Sequence, residues 1–497
     1  MKAIRVLSIG LVVALIGILS GVIQDVRDAQ AIPAFARKYD LTCNVCHVPS
    51  FPKLNDTGNL FRDHGYQLGT DQELPTWEGL TKGYWPVSFR TTVGYQAQSK
   101  GGLLNATSGV GDVTSSSGSF GFTGLDILSF GTLGRDLTFG VVFTPGLGSA
   151  QFNTMPGSEG SDLEFAFLKL DNVQRFLGLG SDNYLMNLKV GKYELDLPFS
   201  PHRSPTLNTP FLVYFYEPGR PASLNGTGIG FGQGQQGLVN PVTGIQQQGL
   251  PFTANDFHLG ENRAGGELSG ITPTPGDGYF RYSLNAVSNS DVNGEGVGGG
   301  RSLQFYGHVT QSIGGYGIVS GQRIGAYGMY GRAPTRPSAA GLIAGAGEES
   351  QPFSRVGVDA SLTWGGQVNV FGTWMFARES RNLFITQGGA PIGTTFQEAR
   401  WNGGFVEVDY NPIQIQRWLF IYRCDWITNT QQPDNGFAGN FNNAQQHTGM
   451  IRYSFLSSSR TAAALHLEYS NLRGKLTAAS GRDQIRDQTL IGFDFSF

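Results

Sequence analysis

From residue 86 onward, apolar and polar residues alternate with period two, between stretches rich in glycine, asparagine and serine. Val87-x-Phe89-x-Thr91-x-Val93-x-Tyr95 is one such run, and Val368-x-Val370-x-Gly372-x-Trp374-x-Phe376 is a second. Trp418-x-Phe420-x-Tyr422-x-Cys424-x-Trp426 is a third. Side chains alternate across a strand, so each run predicts a strand with one apolar face and one small or polar face. Lipid outside and water or a polar plug inside produce that pattern, and so does a β-sandwich.

The order of the connections separates the two. Roughly sixteen strands are predicted, an even number, as in bacterial single-chain barrels. Long connections at 99–118, 146–161, 196–259, 332–352, 379–399 and 428–444 alternate with short ones. The short ones include Gly131-Thr132-Leu133-Gly134, Gly314-Gly315, Gly365-Gly366, Asn411-Pro412 and Ser457-Ser458-Ser459. Membrane barrels have short periplasmic turns and long external loops, whereas a sandwich has no reason to sort its loops this way. The last strand runs Ile491, Phe493, Phe495, Phe497 to a terminal aromatic, which resembles the C-terminal signal of outer-membrane barrels. The expected fold is therefore all-β, an antiparallel outer-membrane barrel over 85–497.

Composition agrees. Only 15% of residues are charged, against about 25% in ordinary globular proteins, while 72 are Gly, 34 Phe and 18 Tyr. A net charge of −3 gives no basic surface for nucleic acid. At the N-terminus, Lys2 and Arg5 precede an apolar run at 6–23 and the small-x-small site Ala29-Gln30-Ala31. Residues 1–31 read as a signal peptide, the alternative being an uncleaved anchor. No later apolar run is long enough for a transmembrane helix, so any downstream span must be β.

Between signal and barrel, 32–84 carries the most specific motif, Cys43-Asn44-Val45-Cys46-His47. Two thiols at this spacing reach both vinyl groups of a haem, and the adjacent imidazole binds its iron. A disulfide or redox pair would not require His47, and a zinc site lacks further ligands, since the third cysteine, Cys424, is far away. Cys424 shares a face with Tyr422 and Trp426 and reads as lipid-facing. The cofactor expected is one covalent haem c on Cys43 and Cys46, with His47 as axial ligand.

Residues 32–85 contain no Met, and their other histidine, His64, is the local candidate for the sixth ligand. A solvated His64 near a helix end is the plain alternative; His202 and His258 in the 196–259 loop are further candidates. So short a segment cannot wrap a haem by itself. With an even strand count it begins at the periplasmic mouth, and a barrel of about sixteen strands has room inside. A small helical haem segment plugging the lumen follows. The 196–259 loop either folds inward over the haem or stays outside.

The run Ala31-Ile32-Pro33-Ala34-Phe35-Ala36-Arg37-Lys38 leading to the haem motif, then Pro52-Lys53-Leu54-Asn55, Gly58, Phe61 and Gly65-Tyr66, resembles the fused monohaem cytochrome–porin family of outer-membrane iron oxidases. Leu128-Ser129-Phe130-Gly131-Thr132-Leu133-Gly134 and Leu188-Lys189-Val190-Gly191-Lys192 resemble its early strands. The resemblance implies an electron-transfer protein with ferrous-iron oxidase activity. Extracellular ferrous iron would be the donor, and a periplasmic cytochrome or similar carrier the acceptor. The rivals are a haem-bearing diffusion porin, electron export to an external acceptor, and a soluble periplasmic cytochrome with a sandwich.

Overall fold

The computed structural model describes residues 35, 38–39, 41, 43–47, 53–68, 86–104, 111–145, 162–180, 184–207, 211–216, 259–260, 262–276, 278–288, 303–313, 322–334, 350–380, 398–431, 441–457, 461–476 and 483–496. Among the described residues Phe35, Lys38 and Tyr39 are helical, and two short helices follow them, α1 (Cys43–Cys46) and α2 (Asp56–Asp63). The strands begin with β1 (Val87–Leu104), β2 (Gly111–Gly134), β3 (Leu137–Thr144) and β4 (Asp162–Leu170). Helix α3 (Val173–Phe176) precedes β5 (Asn187–Glu194), and α4 (Leu212–Phe215) precedes β6 (Asn262–Thr274). There follow β7 (Gly278–Ser288), β8 (Leu303–Ser312), β9 (Arg323–Pro334), β10 (Ser350–Trp364) and β11 (Val368–Glu379). The last five are β12 (Ala399–Tyr410), β13 (Trp418–Gln431), β14 (Phe441–Ser457), β15 (Ala462–Leu476) and β16 (Asp483–Ser496).

Each strand pairs antiparallel with its sequence neighbours, and β1 closes on β16 from Arg90↔Ser496 to Gly101↔Ile485. Closure leaves no sheet edge within the cylinder, so the backbone donors and acceptors of the wall are paired without water. The predicted alternation is kept. On β11, Val370, Trp374 and Phe376 point outward while Phe371, Met375 and Ala377 are buried inside. On β16, Ile491, Phe493 and Phe495 face out and Asp494 faces in; Phe497 lies outside the described residues. Cys424 takes the outward side of β13, whose inward side carries Arg423 and Asp425.

Three details differ from the sequence reading. Much of the connection expected at 99–118 is strand, with Ser99 paired to Ser116 and Leu103 to Val113, because Ser and Gly tolerate extension where no core demands bulk. Gly131-Thr132-Leu133-Gly134 closes β2 rather than turning; the turn falls at Arg135-Asp136, where Asp136 takes φ +59°. Aspartate enters the left-handed region more readily than most residues, which fits it for this place. On the short-turn side, the β4–β5 connection is long enough to hold α3. Gly365-Gly366 and Asn411-Pro412 do turn between β10 and β11 and between β12 and β13. Gly314-Gly315, Ser458 and Ser459 lie outside the described residues.

Part of the long 196–259 loop goes inside. Its residues 196–207 and 211–216, together with Leu259, are packed against the inner wall. Leu207 N donates to Glu468 Oε2 at 2.7 Å, Leu212 N to Asp425 Oδ1 at 3.1 Å, and Tyr216 OH to Asn429 Oδ1 at 2.9 Å. The lumen is thereby occupied by chain at this level.

Val358, near the middle of β10 and half exposed outward, tests the lipid-facing assignment. Val358→Lys is expected to cost about 2–4 kcal/mol at the bilayer midplane, measured by urea titration of the barrel folded into vesicles. A loss under half a kcal/mol would place that face in water.

Candidate functional site: a haem motif on a charge-anchored plug

The short segment around α1 and α2 owes its shape to caps. Asn55 accepts from Gly58 N at 2.8 Å and so caps α2. Its own N–H donates to Cys46 O at 2.9 Å and its Nδ2 to Val45 O at 3.0 Å, which fastens α1 to the start of α2. The approach is close enough that a Cβ at Gly58 would collide with the Cys46 carbonyl oxygen. At the other end, Tyr66 N donates to Phe61 O and Gly65 N to Arg62 O, the paired bonds of a Schellman stop. Gly65 holds φ +68°, and a side chain there would also meet Asp171 and Thr138. Phe35, Tyr39, Phe61 and Tyr66 form a small aromatic core, which leans on Phe130 of β2.

His47 is 3% exposed and its Nδ1 lies 3.1 Å from the Lys53 carbonyl oxygen. Donation from Nδ1 fixes the tautomer with the lone pair on Nε2, the arrangement of a metal-binding histidine. Cys46 is a free thiol, and burial pushes it up to about 11. The backbone of Cys43 shares the same helical turn. These residues fit a covalent haem: two cysteines on one turn, with the adjoining imidazole held in the ligating tautomer. Bound there, the haem would supply a one-electron iron couple.

The segment is held in the barrel by charge. Lys53 Nζ donates to Asp409 Oδ2 and Asn369 Oδ1, both at 2.7 Å, and sits 3.5 Å from the Phe371 ring centre. At the far end of α2, Arg281 of β7 donates to Asp63 Oδ2 at 2.6 Å and forms an ion pair with Asp196. His308 bridges Asp196 at 3.1 Å and Asp359 at 3.0 Å, so the inward loop shares this network. Lys169 adds a bond to Asp63 O at 2.8 Å. Burial alone would raise the Asp63 carboxyl, but Arg281 and Arg62 outweigh it and hold it below the usual range. Burial likewise opposes ionisation of Asp196, yet Arg281 and His308 hold it well below. A cavity of about 940 Å³, counting the solvent it opens onto, lies between α2, the inward loop and the short-turn ends of β7 to β11.

The other candidates are dispersed. His64 caps the C-terminal end of α2, about 12 Å of helix from the end that touches Cys46. Its ring stacks on Tyr184 at 4.3 Å, and burial lowers its basicity. His202 lies in the 3-10 turn Pro201–Arg203, its ring edge toward Phe165. His258 lies outside the described residues. Sequence reasoning missed the anchoring role of Lys53, Asp63, Asp196, Arg281 and His308. The signal available was charge at inward strand positions of a chain otherwise poor in charge.

A closed cylinder with apolar side chains outside and ion pairs within can be stable only in a bilayer, and single-chain barrels with this strand count belong to the bacterial outer membrane. The chain is an outer-membrane β-barrel of porin architecture. No protein-family profile and no curated protein matches it. Among solved structures it is similar to the outer membrane channel DcaP of Acinetobacter baumannii, with TM-score 0.45 and 10% identity over 83% of this chain and 97% of that one. It is also similar to OprB of Pseudomonas putida, with TM-score 0.43 and 12% identity over 85% and 96%. The anion-selective porin from Comamonas acidovorans gives TM-score 0.43 and 14% identity over 83% and 99%. At these identities and scores nothing about cargo or cofactor carries over.

Two outcomes follow from the anchors. Lys53→Met strands the buried Asp409 carboxylate and should weaken plug docking by about 3–5 kcal/mol, read as lost hydrogen-exchange protection over α2. Asp409→Leu in the same chain should restore part of it. Asp63 and Asp196 are both depressed, so their stabilisation is complete above the unfolded aspartate value of about 3.9. It is lost only as pH falls through their lower folded values. Protection of α2 should hold from neutral pH down to about 4 and decline below. A decline beginning near neutrality would contradict this.

Proposed function

We propose that this chain is an outer-membrane c-type cytochrome–porin that takes electrons from extracellular ferrous iron and delivers them to a periplasmic carrier. The observation that carries the reading is the setting of Cys43-Asn44-Val45-Cys46-His47. The motif rides on a plug anchored inside a lipid-facing cylinder, with His47 buried and its Nδ1 held by Lys53. Cys43 and Cys46 tether the haem, and His47 is its axial ligand. The wall and the inward loop keep bulk water from a segment too short to do so itself. Ferrous iron is the substrate, kept outside the cell where its poorly soluble ferric product can be left.

His64 is the proposed sixth ligand from the short segment. Because it stands at the opposite end of α2 from Cys46, binding requires α2 to shift as well as the ring to leave Tyr184. Low-temperature EPR of the oxidised protein decides the point: His64→Ala changes the signal if His64 binds, and an unchanged signal removes it.

The protein purified in detergent should carry one covalent haem, absent from Cys43→Ala/Cys46→Ala, and ferrous iron at acidic pH should reduce it. Failure of ferrous iron to reduce a haem that dithionite reduces would end the iron reading. Because plug and inward loop occupy the lumen, planar bilayers should show almost no ion conductance. A large, steady conductance would favour the diffusion porin.

A further inference from the structure

Between the long-loop end of the barrel and the plug, the lumen holds two groups of close-packed aromatic rings, of which only Phe371 touches the plug's anchor. Trp401, near the long-loop end of β12, meets Tyr216 edge-on at 4.9 Å. Tyr216 ends the inward segment, and five residues of its backbone, with no ring contact between them, lead to Phe211, which stacks on Phe405 at 4.1 Å with the planes 20° apart. Phe405 lies 6.1 Å from Phe371 and 5.9 Å from Phe199, which are themselves 4.4 Å apart. Beneath Phe371 is Lys53, whose ammonium is 3.5 Å from the ring centre and whose carbonyl holds His47.

The rings follow the right direction and, at the usual strand tilt, cover about 15 Å of the barrel's height. Trp401 is opposite Ala377 in register, and Phe371 is opposite Glu407. Residues 371–377 of β11 therefore cover about 20 Å of strand. The apolar band to be crossed is about 25 Å tall. Apart from partly buried Phe199, the rings belong to one continuous buried core.

We propose that this ring stack is the path by which electrons cross from the external end of the barrel to the plug. The inference deepens the proposed function and rests on it for the haem. Tunnelling weakens steeply with distance, and faster across gaps than through packed atoms, so two groups of touching rings joined by the packed backbone of the inward segment favour this line through the lumen. An apolar core also has few dipoles to reorient as charge passes. No bond forms or breaks. One ferrous ion outside becomes ferric, one electron arrives at the plug, and the rings keep their protons and end unchanged.

A lumen-filling loop also buries aromatic side chains for packing alone. The two roles part on what a ring does that an aliphatic side chain does not, which Phe405→Leu tests. In vesicles with the long-loop side outward, dithionite, which does not cross the bilayer, reaches the plug only through the barrel. Phe405→Leu should then slow haem reduction by an order of magnitude or more. In detergent the same reductant meets the plug directly, and the rate, the haem absorbance and the midpoint potential should match the parent. Unchanged rates in vesicles, or equal slowing in vesicles and detergent, overturn the path.

A second readout uses no haem. A ruthenium polypyridyl photo-oxidant is alkylated onto Cys46 in a full chain bearing Cys43→Ser and Cys424→Ser, with α2 exchange protection as the folding control. On a flash the oxidant takes one electron from Trp401, whose Nε1–H faces Glu379 Oε1 at 3.4 Å. The tryptophan radical absorption should appear, and should vanish in Phe405→Leu. Its absence in the folded parent chain, or its persistence in the variant, overturns the path. If ferrous iron fails with the parent protein while dithionite shows the dependence on side, the iron reading falls and the path stands.

Discussion

A sheet that closes on itself in lipid has one place for charge, and that is its own interior. Each strand of this barrel sends apolar side chains outward and polar ones inward, so the lumen collects Arg263, Glu267, His308, Arg355, Asp359, Glu407, Arg423 and Asp425, all buried. A buried charge is tolerable only when paired and hydrogen-bonded, and stranding one costs several kcal/mol. Some of these groups pair along the wall, as Arg355 does with Glu379 and Arg423 with Asp425. Others are completed from within, Asp409 by Lys53 and Arg281 by Asp63 and Asp196. The wall and its filling are therefore one electrostatic unit.

That unit orients the Cys43–His47 motif. Lys53 ties the plug to β12 by its ammonium and holds His47 by its carbonyl, so the contact that anchors also aligns. The inward loop performs a similar double duty. Asp196 joins the charge network, while Phe211 and Tyr214 pack against Phe405. A chain segment too small for a core of its own is sheltered by a cylinder that could not leave its interior charges unpaired.

Much of this was legible in the linear chain, for physical reasons. Period two is imposed residue by residue wherever a strand separates two solvents, so the strands on either side of Gly365-Gly366 announce themselves. The Cys43-Asn44-Val45-Cys46-His47 motif is equally local, since it is read within five positions. Local patterns failed where no solvent contrast marks the boundary. The Ser- and Gly-rich stretch inside 99–118 reads as loop yet pairs as strand, and the turn after β2 falls at Asp136 rather than on the nearby glycines.

The sequence by itself determined the approximate strand count, the lipid-facing side of the clearly alternating strands and the Cys43-Asn44-Val45-Cys46-His47 motif, because those depend on neighbours within a few positions. Only the tertiary structure decided the partners: that Lys53 meets Asp409 across 356 positions, that Asp63 meets Arg281 across 218, and that His64 rests on Tyr184 at the opposite end of α2 from Cys46. Those meetings follow from the register and tilt at which the sheet closes, which belong to the whole ring of strands and to no single segment.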